Sequence, residues 1–167
     1  DLQVALEERG SAETANFTES ERTILQNVLK LSAVSIDDIM VERSDIQAVE
    51  ADINLGTLLA KFRQVGHSRL PVYEDELDKI IGFIHIKDAM AKITEAVTDP
   101  EKEVPVRLLS AALKQKINKL GITRTAMFVP TFMPAGDLLQ SMRASRVHMA
   151  IVVDEYGGTD GLVTIED

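Results

Sequence analysis

The feature that most constrains this chain is an internal repeat. Displacing the sequence by 79 positions lays Gly161-Leu162-Val163-Thr164-Ile165-Glu166-Asp167 on Gly82-Phe83-Ile84-His85-Ile86-Lys87-Asp88. The same displacement lays Asp154-Glu155 on Asp75-Glu76 and Ile151 on Val72. Matched glycines, acidic residues and apolar runs at one spacing mark a duplicated supersecondary unit, and a duplicated unit must bury its apolar side against its copy.

Each copy reads as β-α-β-β-α. Extended runs are expected at Ile46-Gln47-Ala48-Val49 and at Met127-Phe128-Val129-Pro130, each ahead of an amphipathic helix. The first helix, Leu55 to Val65, places Leu55, Leu58, Leu59, Phe62 and Val65 on one face, with Asn54 as N-cap and Gly66 just past its end. The second, Gly136 to Ala144, does the same with Leu138, Leu139 and Met142 behind Pro134. Two apolar strands then lead to a helix with an acidic first turn. The fold class expected is therefore mixed α/β (α+β), two units packed as a pseudo-two-fold pair.

Outside the repeat the signals are simpler. Residues 1–17 are acidic, interrupted by Gly10-Ser11, and expected to fray as a linker. Residues 18–40 carry lead-in helices: Thr18 with Glu21 makes a capping box, and Ser35 with Asp38 repeats it before a shorter helix ending near Met40. The units then occupy 41–93 and 125–167. The connector at 94–124 holds a charged loop, Asp99 to Glu103, and an extra helix expected from Pro105 to Leu120 with Gly121 as its stop. The chain opens on Asp1 rather than Met and stops within the first turn of a helix, so it is expected to be part of a longer protein.

Composition removes several function classes. A formal net charge of −9 argues against a nucleic-acid partner, which needs clustered Lys and Arg. Absence of cysteine excludes disulfides and thiolate metal sites and fits a reducing compartment. His67, His85 and His148 are too scattered to argue a metal site. With no P-loop, nucleophile-base pair or paired carboxylates, no enzyme is expected.

The repeats resemble tandem cystathionine β-synthase (CBS) domains, adenosyl-ligand-binding regulatory modules. Asp38-Ile39-Met40, His67-Ser68-Arg69-Leu70-Pro71-Val72-Tyr73 and His148-Met149-Ala150-Ile151-Val152-Val153-Asp154-Glu155-Tyr156-Gly157-Gly158 are similar, more narrowly, to the CorC/HlyC (TlyC) branch, related to CNNM proteins of magnesium transport. In that family the lead-in helices pack on the first CBS unit. The resemblance implies that Thr164 and Asp167 occupy the phosphate and ribose positions of one nucleotide site. Its adenine is then held by Ile46, Ala48 and the chain around Ser68, Arg69 and Leu70, with Arg69 able to offset phosphate charge.

Physical chemistry alone offers a plainer account of Thr164 and Asp167, a helix cap with an acidic first turn. A companion site would use His85, Asp88, Met127, Val147 and His148, and is expected to be weaker because an imidazole replaces the small hydroxyl. The expected ligand is an adenosine nucleotide, ATP or AMP, with Mg2+ able to accompany its phosphates. The resemblance further implies a cytoplasmic regulatory module, a homodimer, and a membrane transport domain or transporter of magnesium and cobalt as partner. The alternative from another class is a docking scaffold that ignores nucleotides.

Overall fold

A computed structural model describes residues 17–97 and 106–165. Residues 1–16, Asp99 to Glu103 and Asp167, on which the expectations of a linker, a charged loop and a ribose-side carboxylate fall, lie outside them. Helix α1 (Glu19–Ala33) begins with the expected capping box: the Thr18 amide donates to the Glu21 carboxylate at 2.7 Å and the Glu21 amide to Thr18 Oγ1 at 3.3 Å. Ser35 and Asp38 also form their box, the Ser35 amide donating to the Asp38 carboxylate at 3.3 Å, but over a single 3-10 turn, Ile36–Asp38, in place of a short helix.

The first unit then runs β1 (Val41–Glu42), β2 (Val49–Glu50), α2 (Leu55–Val65), β3 (Arg69–Glu74), β4 (Glu76–His85) and α3 (Ile86–Val97). The second follows α4 (Val106–Lys114) as β5 (Met127–Pro130), α5 (Ala135–Ser145), β6 (Met149–Val153) and β7 (Thr159–Thr164). Strand β5 spans the run expected for it. Its partner β2 starts only at Val49, because a 3-10 turn at Arg43–Asp45 delays the strand.

The α2 helix forms as its sequence requires. Asn54 Oδ1 accepts the Thr57 amide at 2.8 Å, Leu55, Leu58 and Phe62 are buried, and Gly66 closes the helix at φ 71°. In α5 Ala135, Leu138 and Met142 are buried in the same way, but the closing left-handed residue is Arg146 at φ 54°. The repeat is not held at one spacing throughout. Val49 pairs with Val72 and Val129 with Val152, an offset of 80, whereas Arg69 faces His85 and Met149 faces Thr164, so the second hairpin strand returns to 79. Val152, not Ile151, is therefore the counterpart of Val72. The missing residue is absorbed at the hairpin end, where a bulge and turn tolerate a change in length that a paired strand does not.

The sheets follow the order β2-β3-β4 and β1-β7-β6-β5, so the first strand of unit one is hydrogen-bonded to the last strand of unit two. Val41 pairs with Leu162 and Glu42 with Gly161. The exchange is reciprocal: Arg124, preceding unit two, forms a bridge to Phe83 of β4, with amide-to-carbonyl distances of 3.0 and 2.7 Å. Both repeat glycines are explained by this. A Cβ on Gly161 would lie 2.5 Å from the Val41 carbonyl oxygen, and one on Gly82 would run into the Arg124 carbonyl.

This exchange overturns two expectations. The lead-in segment packs on the second unit rather than the first: Ile36 is fully buried in the second core, its amide donates to Met133 O at 3.0 Å, and the Ala135 amide donates to Val34 O at 2.8 Å. The extra helix ends at Lys114 instead of Leu120. Beyond it Lys116 is extended and Ile117–Lys119 form a 3-10 turn, as the Leu55 amide donates to Gln115 O and the Ile117 amide to Ile53 O, both at 2.9 Å, which draws Ile117 into the first core.

Three clusters of buried side chains result. One lies inside each unit, and the third, with Ile80 and Phe83 from β4 and Met149, Ile151 and Leu162 from unit two, joins them. The rim of that junction is polar. Arg43 donates to Asp78 and, at 2.9 Å, to the Thr159 carbonyl, while Asp78 also accepts the Thr159 amide at 3.0 Å. These donors hold the Asp78 carboxyl below its usual range.

Candidate functional site

Between the units lies an open cleft of about 190 Å³, lined by Val41, Asp45, Ile46, Gln47, His67, Ser68, Arg69, Pro71, Leu162 and Thr164. Its walls come from both repeats: the loop after β1 and the start of β3 on one side, the end of β7 on the other. Four of the residues expected at the nucleotide site, Ile46, Ser68, Arg69 and Thr164, meet here. Ala48 and Leu70 do not line it. Leu70 is fully buried in the first core, because side chains alternate along β3 and only Arg69 and Pro71 face the cleft.

Sequence reasoning missed Gln47 and His67. At the offset of 80 that the pairing establishes for this part of the unit, Gln47, His67 and Ser68 are the counterparts of Met127, Val147 and His148, so mapping the companion-site residues back would have found both. The cleft gathers the Arg69 guanidinium, the Thr164 hydroxyl, a histidine and an amide side chain around apolar Val41, Ile46 and Leu162. This mixture suits a flat heteroaromatic ring attached to an anionic tail. Thr164 is solvent-exposed and ends β7, where the Ile165 amide donates to His148 O at 3.0 Å.

The companion positions are arranged differently. His85 is buried, and its Nδ1 accepts the Lys87 amide at 3.0 Å, so the imidazole caps α3. Burial first, then the cationic Arg69, Arg124 and Lys87, push its pKa below the usual histidine value, which keeps the acceptor nitrogen unprotonated. Asp88 is gripped by Arg124, whose Nε and Nη2 reach the two carboxylate oxygens at 2.6 and 2.9 Å. The guanidinium lowers the Asp88 pKa, and the carboxylate raises that of Arg124. Asp88 faces a shallow groove with Lys92, Glu95 and Thr123 that Met127, Val147 and His148 do not line. Among the described residues no group of three or more His, Cys, Asp or Glu could hold a metal ion.

Two packed β-α-β-β units with an open cleft between them define a recognisable class of paired module. The CBS domain family profile matches residues 36–95 and 117–167, and the chain belongs to that family, as a tandem pair. Its branch is that of the hemolysin C-like CorC proteins. It is 42% identical to "Possible hemolysin C" of Rickettsia akari over 152 residues, covering 90% of this chain and 44% of that protein. It therefore spans about half the length of the curated relatives it matches. Among solved structures it is similar to the CBS domain of a bacterial CNNM/CorC family Mg2+ transporter, at 32% identity and a TM-score of 0.74, covering 98% of this chain and 90% of that one. It is also similar to such a domain in complex with ATP, at 34% identity and a TM-score of 0.69, over 87% and 91% of the two chains. Among the described residues no helix is long and apolar enough to cross a membrane.

Proposed function

We propose that this CBS pair is a cytoplasmic sensor that binds an adenosine nucleotide, ATP or AMP, in the cleft between its units and controls a transport activity for magnesium or cobalt residing elsewhere in a longer protein. The observation that carries the reading is the convergence of Ile46, Ser68, Arg69 and Thr164, from two different repeats, on one cleft. The similar CNNM/CorC CBS domain in complex with ATP supports the choice of ligand.

In this reading Ile46 and Val41 flank the adenine, the Thr164 hydroxyl and Arg69 meet phosphate oxygens, and Asp167, one turn beyond Thr164, accepts from the ribose hydroxyls. The cleft is smaller than the roughly 300 Å³ that encloses a drug-sized molecule, so part of the nucleotide stays in solvent, where Mg2+ can accompany its phosphates. A ligand touching both units favours whichever arrangement of the units fits it best, and that difference in affinity is the signal. No catalysis is assigned. A homodimer would cover apolar side chains left on the helices, such as Met90 of α3 and Leu108 of α4.

The test is isothermal titration of ATP, ADP and AMP, with and without Mg2+, into this chain extended at its C-terminus by about one helix, roughly fifteen residues. Micromolar binding that Asp167→Ala weakens about a hundredfold is expected, the loss of hydrogen bonds to a charged group. No heat from a folded protein would leave the docking scaffold in its place.

A further inference from the structure

We propose that Arg43 is a positioning residue for the open cleft: clamped by Asp78 of its own unit and by Thr159 of the other, it fixes where the turn that follows it delivers Ile46, and so ties occupancy of the cleft to the junction between the units. This deepens the reading of that cleft as a nucleotide site and rests on it.

Arg43 opens the 3-10 turn Arg43–Asp45 that separates β1 from β2. Its carbonyl accepts the Ile46 amide at 3.2 Å, which closes the turn. Its guanidinium donates to Asp78 of β4 and, at 2.9 Å, to the carbonyl of Thr159, the first residue of β7. Asp78 accepts the Thr159 amide at 3.0 Å, and Thr159 Oγ1 donates to Leu77 O at 2.8 Å. Thr159 is buried, so these bonds meet where β4 of one unit is pinned to β7 of the other. A planar guanidinium can serve the carboxylate and the carbonyl together, which a single ammonium does less well.

The two segments that leave this clamp are the two walls of the cleft. The turn leads to Asp45, Ile46 and Gln47, and β7 leads to Leu162 and Thr164. Ile46 also packs, with Leu77, on the buried cluster that joins the units. Arg43 itself does not line the cleft, so its effect on a ligand passes through the walls it anchors. Coupling of this kind is reciprocal: a ligand held by both walls favours the clamped junction, and a loosened clamp weakens the ligand.

The test compares the C-terminally extended protein with Arg43→Gln, Asp78→Asn and the double variant; Arg43→Lys, which keeps the charge, serves if Arg43→Gln does not fold. Methyl NMR spectra are recorded without nucleotide, and ATP and AMP are then titrated calorimetrically. Methyl signals of Ile46, Leu162 and Thr164 are expected to move in each variant, while those of Leu58 and Leu138, inside the two cores, stay in place. Affinity is expected to fall roughly threefold to tenfold in each single variant, the range left to a hydrogen-bonded ion pair partly open to solvent. The double variant should bind no more weakly than the weaker single one, because both substitutions break one clamp. A clamp that only stabilised the fold would lower the melting temperature and leave the affinity of the folded protein unchanged. Unmoved cleft methyls, unchanged affinity in both single variants, or losses that add in the double variant each overturn the proposal. If the unaltered protein binds neither nucleotide, the reading of the cleft fails, and the methyl signals alone then uphold or overturn the positioning role.

Discussion

Equivalent positions in the two units meet different chemistry: an open cleft lies at Thr164, whereas in the other unit His85 caps a helix and Arg124 lies on Asp88. The difference comes from side chains at three equivalent places: Val41 against Arg124, Thr164 against His85, and Gln47 against Met127. Duplication supplied two related frames that differ where the 3-10 turn at Arg43–Asp45 delays β2 and where one hairpin is a residue shorter, and the residue types at the three places differ with them.

The first way to break the comparison is through the glycines. Gly82→Ala and Gly161→Ala should each cost about 2 kcal/mol by overpacking, lowering the melting temperature by roughly 4–8 °C in a chain of this size. Only Gly161→Ala should also weaken nucleotide binding, since Val41, Leu162 and Thr164 around it line the open cleft. Equal loss of affinity in both variants would mean that binding does not depend on the strands lining the open cleft.

A smaller effect is expected at the helix ends. Gly66 and Arg146 hold the same left-handed position after α2 and α5. Gly66→Ala should lose about 1 kcal/mol and Arg146→Gly should gain up to about that much, measured by chemical denaturation.

The smallest effect concerns acid. The folded pKa of His85 is lowered, by burial first and then by Arg69, Arg124 and Lys87, against the opposing charge of Asp88. Its contribution is therefore full above the ordinary histidine value of about 6.5 and is lost as pH falls through the lowered folded value. Thr164 does not titrate, so the asymmetry predicts that His85→Thr loses less stability than the unaltered protein between pH 7 and 5, by a margin below that of either cap variant. A larger acid loss in His85→Thr would contradict the assignment.

Much of this was legible from residues alone. The repeat, the α2 face of Leu55, Leu58 and Phe62, and the Thr18–Glu21 cap are local patterns, and local patterns depend on spacing that a sequence displays directly. The resemblance to CBS pairs brought Thr164 and Arg69 together before any coordinates did. Gln47 and His67 were missed because their own residue types are unremarkable in a loop, and the correct offset of 80 was hidden by a one-residue change inside a turn.

What the tertiary structure alone decided is who pairs with whom. No periodicity says that Val41 crosses to β7 or that Arg124 crosses to β4, because a strand two residues long has almost no pattern, and its partner lies across the other repeat. The same crossing placed Ile36 in the second core and bent residues 115–117 away from the expected helix. The sequence by itself determined two units, their helices and the residue types at each cleft. Only the long-range pairing, whose energy depends on contacts between segments far apart in the chain, determined that one arginine would lie on Asp88 while one valine left its cleft open.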